Sequence, residues 1–416
     1  MIHHPDATTI AIMLAILVAT SVLTSRLRIP YTVGLVIAGL LIGLLPHERV
    51  LELTPSLVLF VFLPPLLFDG GWSIDTRRLA RNWAPITLLA TVGVLLVIGI
   101  SYVLLVYVAH LTPATAVIFG AAIAATDPVA VLALFKMLRI DPGLLSIVEG
   151  ESLFNDGTSV VAFSAIIAVI LAEGAGWHPG DFAKNFVLMT AGGVAVGVVI
   201  GYLTRLVIRL ITDQAMVVAV VTVFVAYGSY FIADGLGVSG IMAVIFAAIV
   251  IAGSTSLARI PHAERDAIGN FWAVIAFLAN TVLFLLIGAS INMRDIMAEW
   301  PDAAWGIVAV VVSRPLIVRA LAPISALLGR PLSQTWQKAI TLAGMRGALS
   351  MALVLSLPDG FAGKSLLVSM VFSVVLFTVV VQGSLLEPLL RMMGLTAPRP
   401  RQADPHAPTP LDRPMR

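Results

Sequence analysis

Apolar runs of near-membrane length recur along this chain, separated by short polar or basic connections. A helix needs about 20 residues to cross a hydrocarbon core of about 30 Å. On that criterion we read about thirteen spans, with cores near 8–25, 31–45, 53–69, 83–109, 113–134, 144–171, 183–208, 215–233, 237–254, 268–291, 303–328, 334–357 and 365–392. The pattern predicts an all-α polytopic membrane protein. Several runs exceed the minimum length, as tilted or interrupted helices do. Residues 1–393 form the expected transmembrane domain. From 394 to 416 the chain turns rich in Pro and Arg, and reads as a disordered cytoplasmic tail. The first run follows an acidic, histidine-bearing leader, and no Ala-x-Ala site comes after it. It is therefore expected to be a permanent span and not a cleaved signal.

Composition narrows the picture. Hydrophobic residues make up 59% of the chain, charged residues 12%, and the mean hydropathy is +1.02. An ordinary soluble domain carries about 25% charge, so no sizeable soluble domain is expected. The net charge of +2 comes from basic loops and does not point to a nucleic-acid partner. With the amino terminus outside, most of the 25 Lys and Arg residues fall on the inner side. The positive-inside rule then predicts an outside amino terminus and a cytoplasmic carboxyl terminus, and the plasma membrane is the expected location. The chain has no Cys, which excludes disulfide frameworks and thiolate metal sites. The seven His residues lie in loops or at span ends, so no proton relay of histidines at mid-membrane is expected. The sequence contains no His-Glu-x-x-His, no Gly-x-Ser-x-Gly and no complete phosphate-cradling Gly-x-x-x-x-Gly-Lys-Ser/Thr loop, since Gly363-Lys364-Ser365 has Pro358 where the first glycine would stand. Neither an enzyme nor a bound cofactor is expected.

Polar positions inside the apolar runs carry the chemistry. Span five is interrupted at Thr126-Asp127-Pro128, and span twelve at Gly344-Met345-Arg346-Gly347. Broken segments at corresponding places in two halves predict inverted repeats with a transport site at the midplane. Unwound backbone is tolerated at that depth only where protein or a cavity surrounds it. Span six carries Glu151, Ser152, Asn155 and Asp156. Ser152 and Asp156 share a helical face, and Glu151 and Asn155 the adjacent stripe. A carboxylate at membrane depth costs about 2.5–3.5 kcal/mol on insertion scales. The bland alternative is a polar network that only ties helices together, and two unneutralised aspartates, Asp127 and Asp156, are an expensive tie. Carboxylate, hydroxyl and freed carbonyl oxygens are hard ligands. Asp127, Asp156 and Ser152, with the Thr126 carbonyl, are therefore the candidate site for Na⁺ and H⁺.

The other buried charges need partners. We expect Glu151 to pair with Arg346, neutralising both and bracing the broken helices, with direct ion binding by Glu151 the lesser alternative. Arg314 either balances the electrostatics of the site or faces an inner aqueous cavity. Asp69, which follows Pro64-Pro65, either lines the ion's way in or marks the water interface, and Glu149 is expected to be interfacial. The glycine stripes at 193, 197 and 201, and at 39 and 43, let helices approach closely. Packing within the chain is their default role, with a homodimer seam the lesser alternative.

Four stretches together resemble a known family: Pro64-Pro65-Leu66-Leu67-Phe68-Asp69, Thr126-Asp127-Pro128, Gly150-Glu151-Ser152-Leu153-Phe154-Asn155-Asp156-Gly157 and Gly344-Met345-Arg346-Gly347-Ala348. They are similar to those of the monovalent cation:proton antiporters, specifically the NhaP-type sodium/proton exchangers. The likeness covers nearly everything from the first span to the last. It implies two crossed, broken helices in a mobile core that rocks against a dimerisation domain, and hence a homodimer. It implies that Asp127, Ser152 and Asp156 bind the cation with help from the Thr126 carbonyl, while Glu151, Asn155 and Arg346 support the site. Asn before Asp156 goes with electroneutral exchange in this family. The expected function is exchange of Na⁺ or Li⁺ for H⁺. K⁺/H⁺ or broad monovalent exchange is the alternative, and a cation channel the rival from another class.

Overall fold

A computed structural model describes residues 19–20, 22–24, 26, 31–43, 57–171, 179–211, 215–253, 262–291, 293–358 and 360–395. The first expected span falls largely outside these residues, as does the expected tail beyond 395. All regular secondary structure among the described residues is helical, with no strand among them. In chain order the helices are α1 Tyr31–Gly43, α2 Val58–Ser73, α3 Thr76–Arg81, α4 Trp83–Tyr107, α5 Pro113–Ala124, α6 Val129–Met137 and α7 Pro142–Leu171. They continue as α8 Pro179–Leu210, α9 Ala215–Gly235, α10 Gly240–Ala252, α11 His262–Ala289 and α12 Met293–Ala298. The last are α13 Trp300–Leu327, α14 Gln334–Ala343, α15 Ala348–Leu355 and α16 Lys364–Met392.

Eight helices among the described residues are long and apolar enough to cross a membrane, α5 and α6 being taken together as one. The bent pair α14–α15 makes up to nine. Three shorter apolar helices, α1, α2 and α10, occupy the second, third and ninth expected places. Leu206, Phe224 and Leu316 are among many large apolar side chains that point outward, as lipid-facing positions should.

Local chemistry explains the two interruptions. Thr112 caps α5, its Oγ1 accepting from Thr115 N at 3.2 Å, and Pro113 takes the first helical turn, where a missing N–H does no harm. The helix stops at Ala124 because a helical continuation would drive the Pro128 ring into the carbonyl four residues back. Residues 344–347 interrupt α14 and α15 with a bend of 47°. There Gly347 is required by close approach, since a Cβ would collide with the Asp127 side chain.

The glycine stripes also serve close approach. On α8, a Cβ at Gly193 or Gly197 would collide with the carbonyl oxygens of Ser239 or Ala243, and Gly201 lies against Val250. On α1, Gly39 and Gly43 meet the backbone of α11 at Leu285 and Ala289. Both stripes are consumed by packing inside one chain, the default role expected of them.

Candidate functional site

A single turn of α7, from Ser152 to Asn155, organises the first break. Asn155 Nδ2 donates to Thr126 Oγ1 at 2.7 Å, and Asn155 Oδ1 accepts from Thr126 N at 3.3 Å. The Ser152 hydroxyl donates to the Thr126 carbonyl. The extended backbone at Thr126, which has no helical partners, thereby finds them on α7. Asp127 Oδ1 accepts from Val129 N at 3.1 Å and so starts α6. Asp127 N donates to Met345 O at 2.9 Å, so the two breaks are in direct contact.

The second break is held from both sides. Arg346 Nη1 donates to the carbonyls of Ala124 and Ala125 at 2.9 and 3.1 Å. These are among the carbonyls that the end of α5 leaves free, and a cation there is favoured by the helix dipole. From α16, Thr378 Oγ1 accepts from Arg346 N at 3.1 Å, and Gln382 Nε2 donates to Leu342 O at 2.6 Å. Thr378 and Gln382 carry no motif in the sequence, and only the packing of the last helix shows what they do.

The expected Glu151–Arg346 pair is not formed. Glu151 is bound by Arg314 from α13 in a two-pronged ion pair: Nη1 meets Oε1, and Nη2 reaches Oε2 at 2.8 Å. Arg314 Nη2 also donates to Ile340 O at 3.0 Å. Both side chains are buried. The physical reason lies in the break itself. Freed carbonyls at 124 and 125 compete for Arg346 and win it, which leaves Glu151 to the other buried guanidinium. Between its two sequence readings, the buried pair with Glu151 favours the balance of charge for Arg314.

A cavity of about 470 Å³ lies against this crossing. Asp127, Asp156, Ser152 and Thr126 line it together, and Asp69 does too. Asp156 Oδ1 is buried and has no hydrogen-bond partner. Glu149, Lys136, Asn280 and Ser350 also border the cavity. Sequence reasoning passed over Lys136, Asn280 and Ser350 as site residues. Asn280 was detectable as an amide in the middle of the apolar run of α11, whereas Ser350 resembles any other helical serine. Among the described residues no three acidic or histidine side chains gather as a metal-holding group. A cation here would therefore draw on hydroxyl and carbonyl oxygens besides carboxylates.

The family described as "sodium/hydrogen exchanger, transmembrane" matches residues 12–392. The chain belongs to the sodium/hydrogen exchanger family. Among relatives, the Na(+)/H(+) antiporter ApNhaP of Aphanothece halophytica is 37% identical over 379 residues, 89% of this chain and 71% of that protein. The low-affinity Na(+)/H(+) antiporter NhaS1 of Synechocystis sp. is 35% identical over 383 residues, 91% of this chain and 72% of that protein. The structure of the sodium proton antiporter MjNhaP1 from Methanocaldococcus jannaschii superposes with a TM-score of 0.76. It covers 94% of this chain and 100% of that one at 21% identity, and so shares the fold. As a member of the exchanger family, the protein is a multi-pass membrane transporter and not an enzyme.

Proposed function

We propose that this protein exchanges Na⁺ or Li⁺ for H⁺ across the plasma membrane, with cation and proton competing for Asp156 and Asp127. The observation that carries this reading is the cavity at the crossing of the two breaks, bordered by both aspartates and by the unpartnered Oδ1 of Asp156. Ser152 and the Thr126 carbonyl add neutral oxygens, and Asp69 borders the ion's way in. The names of the relatives support the choice of ions.

Charge counting favours one-for-one exchange. Glu151 and Arg314 cancel each other. Of the charges on the two breaks and at Asp156, those that remain are Asp127, Asp156 and Arg346, a net of one negative, while Asp69, Glu149 and Lys136 border the cavity outside the breaks. A single Na⁺ or a single H⁺ neutralises that set, and a neutral site crosses a low-dielectric barrier far more readily than a charged one. Only loaded states then change access, and exchange needs no ATP. The asymmetry of basic residues supports an outside amino terminus and a cytoplasmic carboxyl terminus. A homodimer, with the crossed helices moving against a dimerisation unit, belongs to the same reading.

The test is proton movement in sealed proteoliposomes on addition of Na⁺, Li⁺ or K⁺ with the membrane potential clamped. Antiport requires a cation-driven pH change that Asp156→Asn abolishes. A response to K⁺ equal to that for Na⁺ would widen the substrate class, and uncoupled current without proton movement would sink the proposal in favour of a channel.

A further inference from the structure

Ser350 lies in the third position of α15, directly after the second break, and its side chain is completely buried. Its Oγ has no hydrogen-bond partner. Several serines within helices or just past their ends satisfy themselves by bonding back to that helix. Ser290 donates to Leu286 O at 2.8 Å, Ser373 to Ser369 O at 2.8 Å and Ser356 to Leu353 O at 2.6 Å. At Ser350 that remedy is missing, because the residues three and four back are Gly347 and Arg346, which belong to the break and precede the helix. Ser101, Ser146 and Ser159 also bury an unpartnered hydroxyl, yet among these four only Ser350 borders the cavity of the two aspartates.

We infer that the Ser350 hydroxyl is a further ligand of the transported cation, supplied by the second broken helix. The inference rests on the exchange reading above and deepens it. A buried hydroxyl without a partner is destabilising, and this one shares its cavity with the equally unpartnered Asp156 Oδ1. Both oxygens are buried and both residues line the cavity, as expected of ligands that meet an ion stripped of water. Asp127 and Thr126 come from the first break, and Ser152 and Asp156 from α7. Ser350 would therefore be the one side-chain ligand from the second break, so that cation binding ties the two broken helices together.

Two readouts test it in the full-length protein. In proteoliposomes, Ser350→Ala should raise KM for Na⁺ about tenfold with Vmax nearly unchanged, the pattern of a lost binding contact. Ser350→Cys keeps the shape of the side chain, slightly enlarged, but replaces a hard oxygen with a soft sulfur. It should weaken Na⁺ as the alanine variant does, while holding Tl⁺ better than that variant. In detergent, Na⁺ should raise the melting temperature of the wild type by binding the folded state. The Ser350→Ala protein should melt no lower than wild type without Na⁺, since an unsatisfied hydroxyl has been removed, and should lose most of the Na⁺-induced rise. A purely structural serine would do the opposite, lowering the melting temperature in the absence of Na⁺ and leaving the rise intact. That result, or an unchanged KM for Na⁺ in both variants, overturns the inference. If the wild type itself moves no protons in response to any cation, the exchange reading falls separately, and the Na⁺-dependent melting shift still decides the role of Ser350.

Discussion

Two buried arginines and one buried glutamate set the residue-scale energetics of the crossing. Glu151 and Arg314 meet through two contacts, and removing one partner of such a pair strands the other charge, at a cost of about 3–5 kcal/mol. Glu151→Gln and Arg314→Met should each lower the melting temperature in detergent sharply. The double variant should recover much of the loss, because it leaves no stranded charge, and additive losses would contradict the pairing. Asp156→Asn should abolish cation-driven proton movement while leaving the fold intact, as checked by an unchanged melting profile. Burial makes this second outcome sharp, since an amide at 156 keeps the volume and removes only the charge that both ions need.

At the scale of elements, the two breaks depend on each other. Asp127 N bonds to Met345 O, Arg346 bonds to the end of α5, and Gly347 sits where a side chain would strike Asp127. Gly347→Ala should therefore displace Asp127 and suppress exchange by about tenfold or more, a scale at which small misplacements near a reacting centre act. The comparison to make is its effect against that of Gly360→Ala, since Gly360 has open space around it and should tolerate the change. Packing of α8 on α10 makes a second element-scale case. At Gly197 a side chain would meet the Ala243 carbonyl, so Gly197→Leu should force the helices apart and lower the melting temperature. An unchanged melting profile would contradict the close contact between α8 and α10.

For the whole molecule, competition between ions should govern the pH response. Protons occupy the carboxylates as pH falls, so the apparent KM for Na⁺ should rise on acidification, approaching about tenfold per pH unit. Vmax at saturating Na⁺ should change far less. Titrating Na⁺ at several pH values in proteoliposomes checks this, and a falling Vmax at constant KM would place the proton outside the cation site. One-for-one exchange further predicts that an imposed membrane potential leaves the exchange rate unchanged, whereas dependence on the potential would mean that the loaded or the empty site crosses with net charge.

Apolar runs of near-membrane length, read with Pro128 and with the glycines at 344 and 347, were enough to determine the class, the order of the spans and the positions of both interruptions. These features are local: run length sets a span, and a proline or a glycine pair sets a break. The identity of Asp127, Ser152, Asn155 and Asp156 as a group was legible for the same reason, since three of them share consecutive turns of one helix and the fourth marks a break. Partner choice was not local. Glu151 had two buried arginines to choose from, and which one reached it depended on where the carbonyls of Ala124 and Ala125 came to lie. Thr378, Gln382 and Ser350 look like ordinary helical residues in the chain. Only the crossing of the two breaks against α16, and the cavity beside that crossing, decides which hydroxyl holds backbone and which is left without a partner.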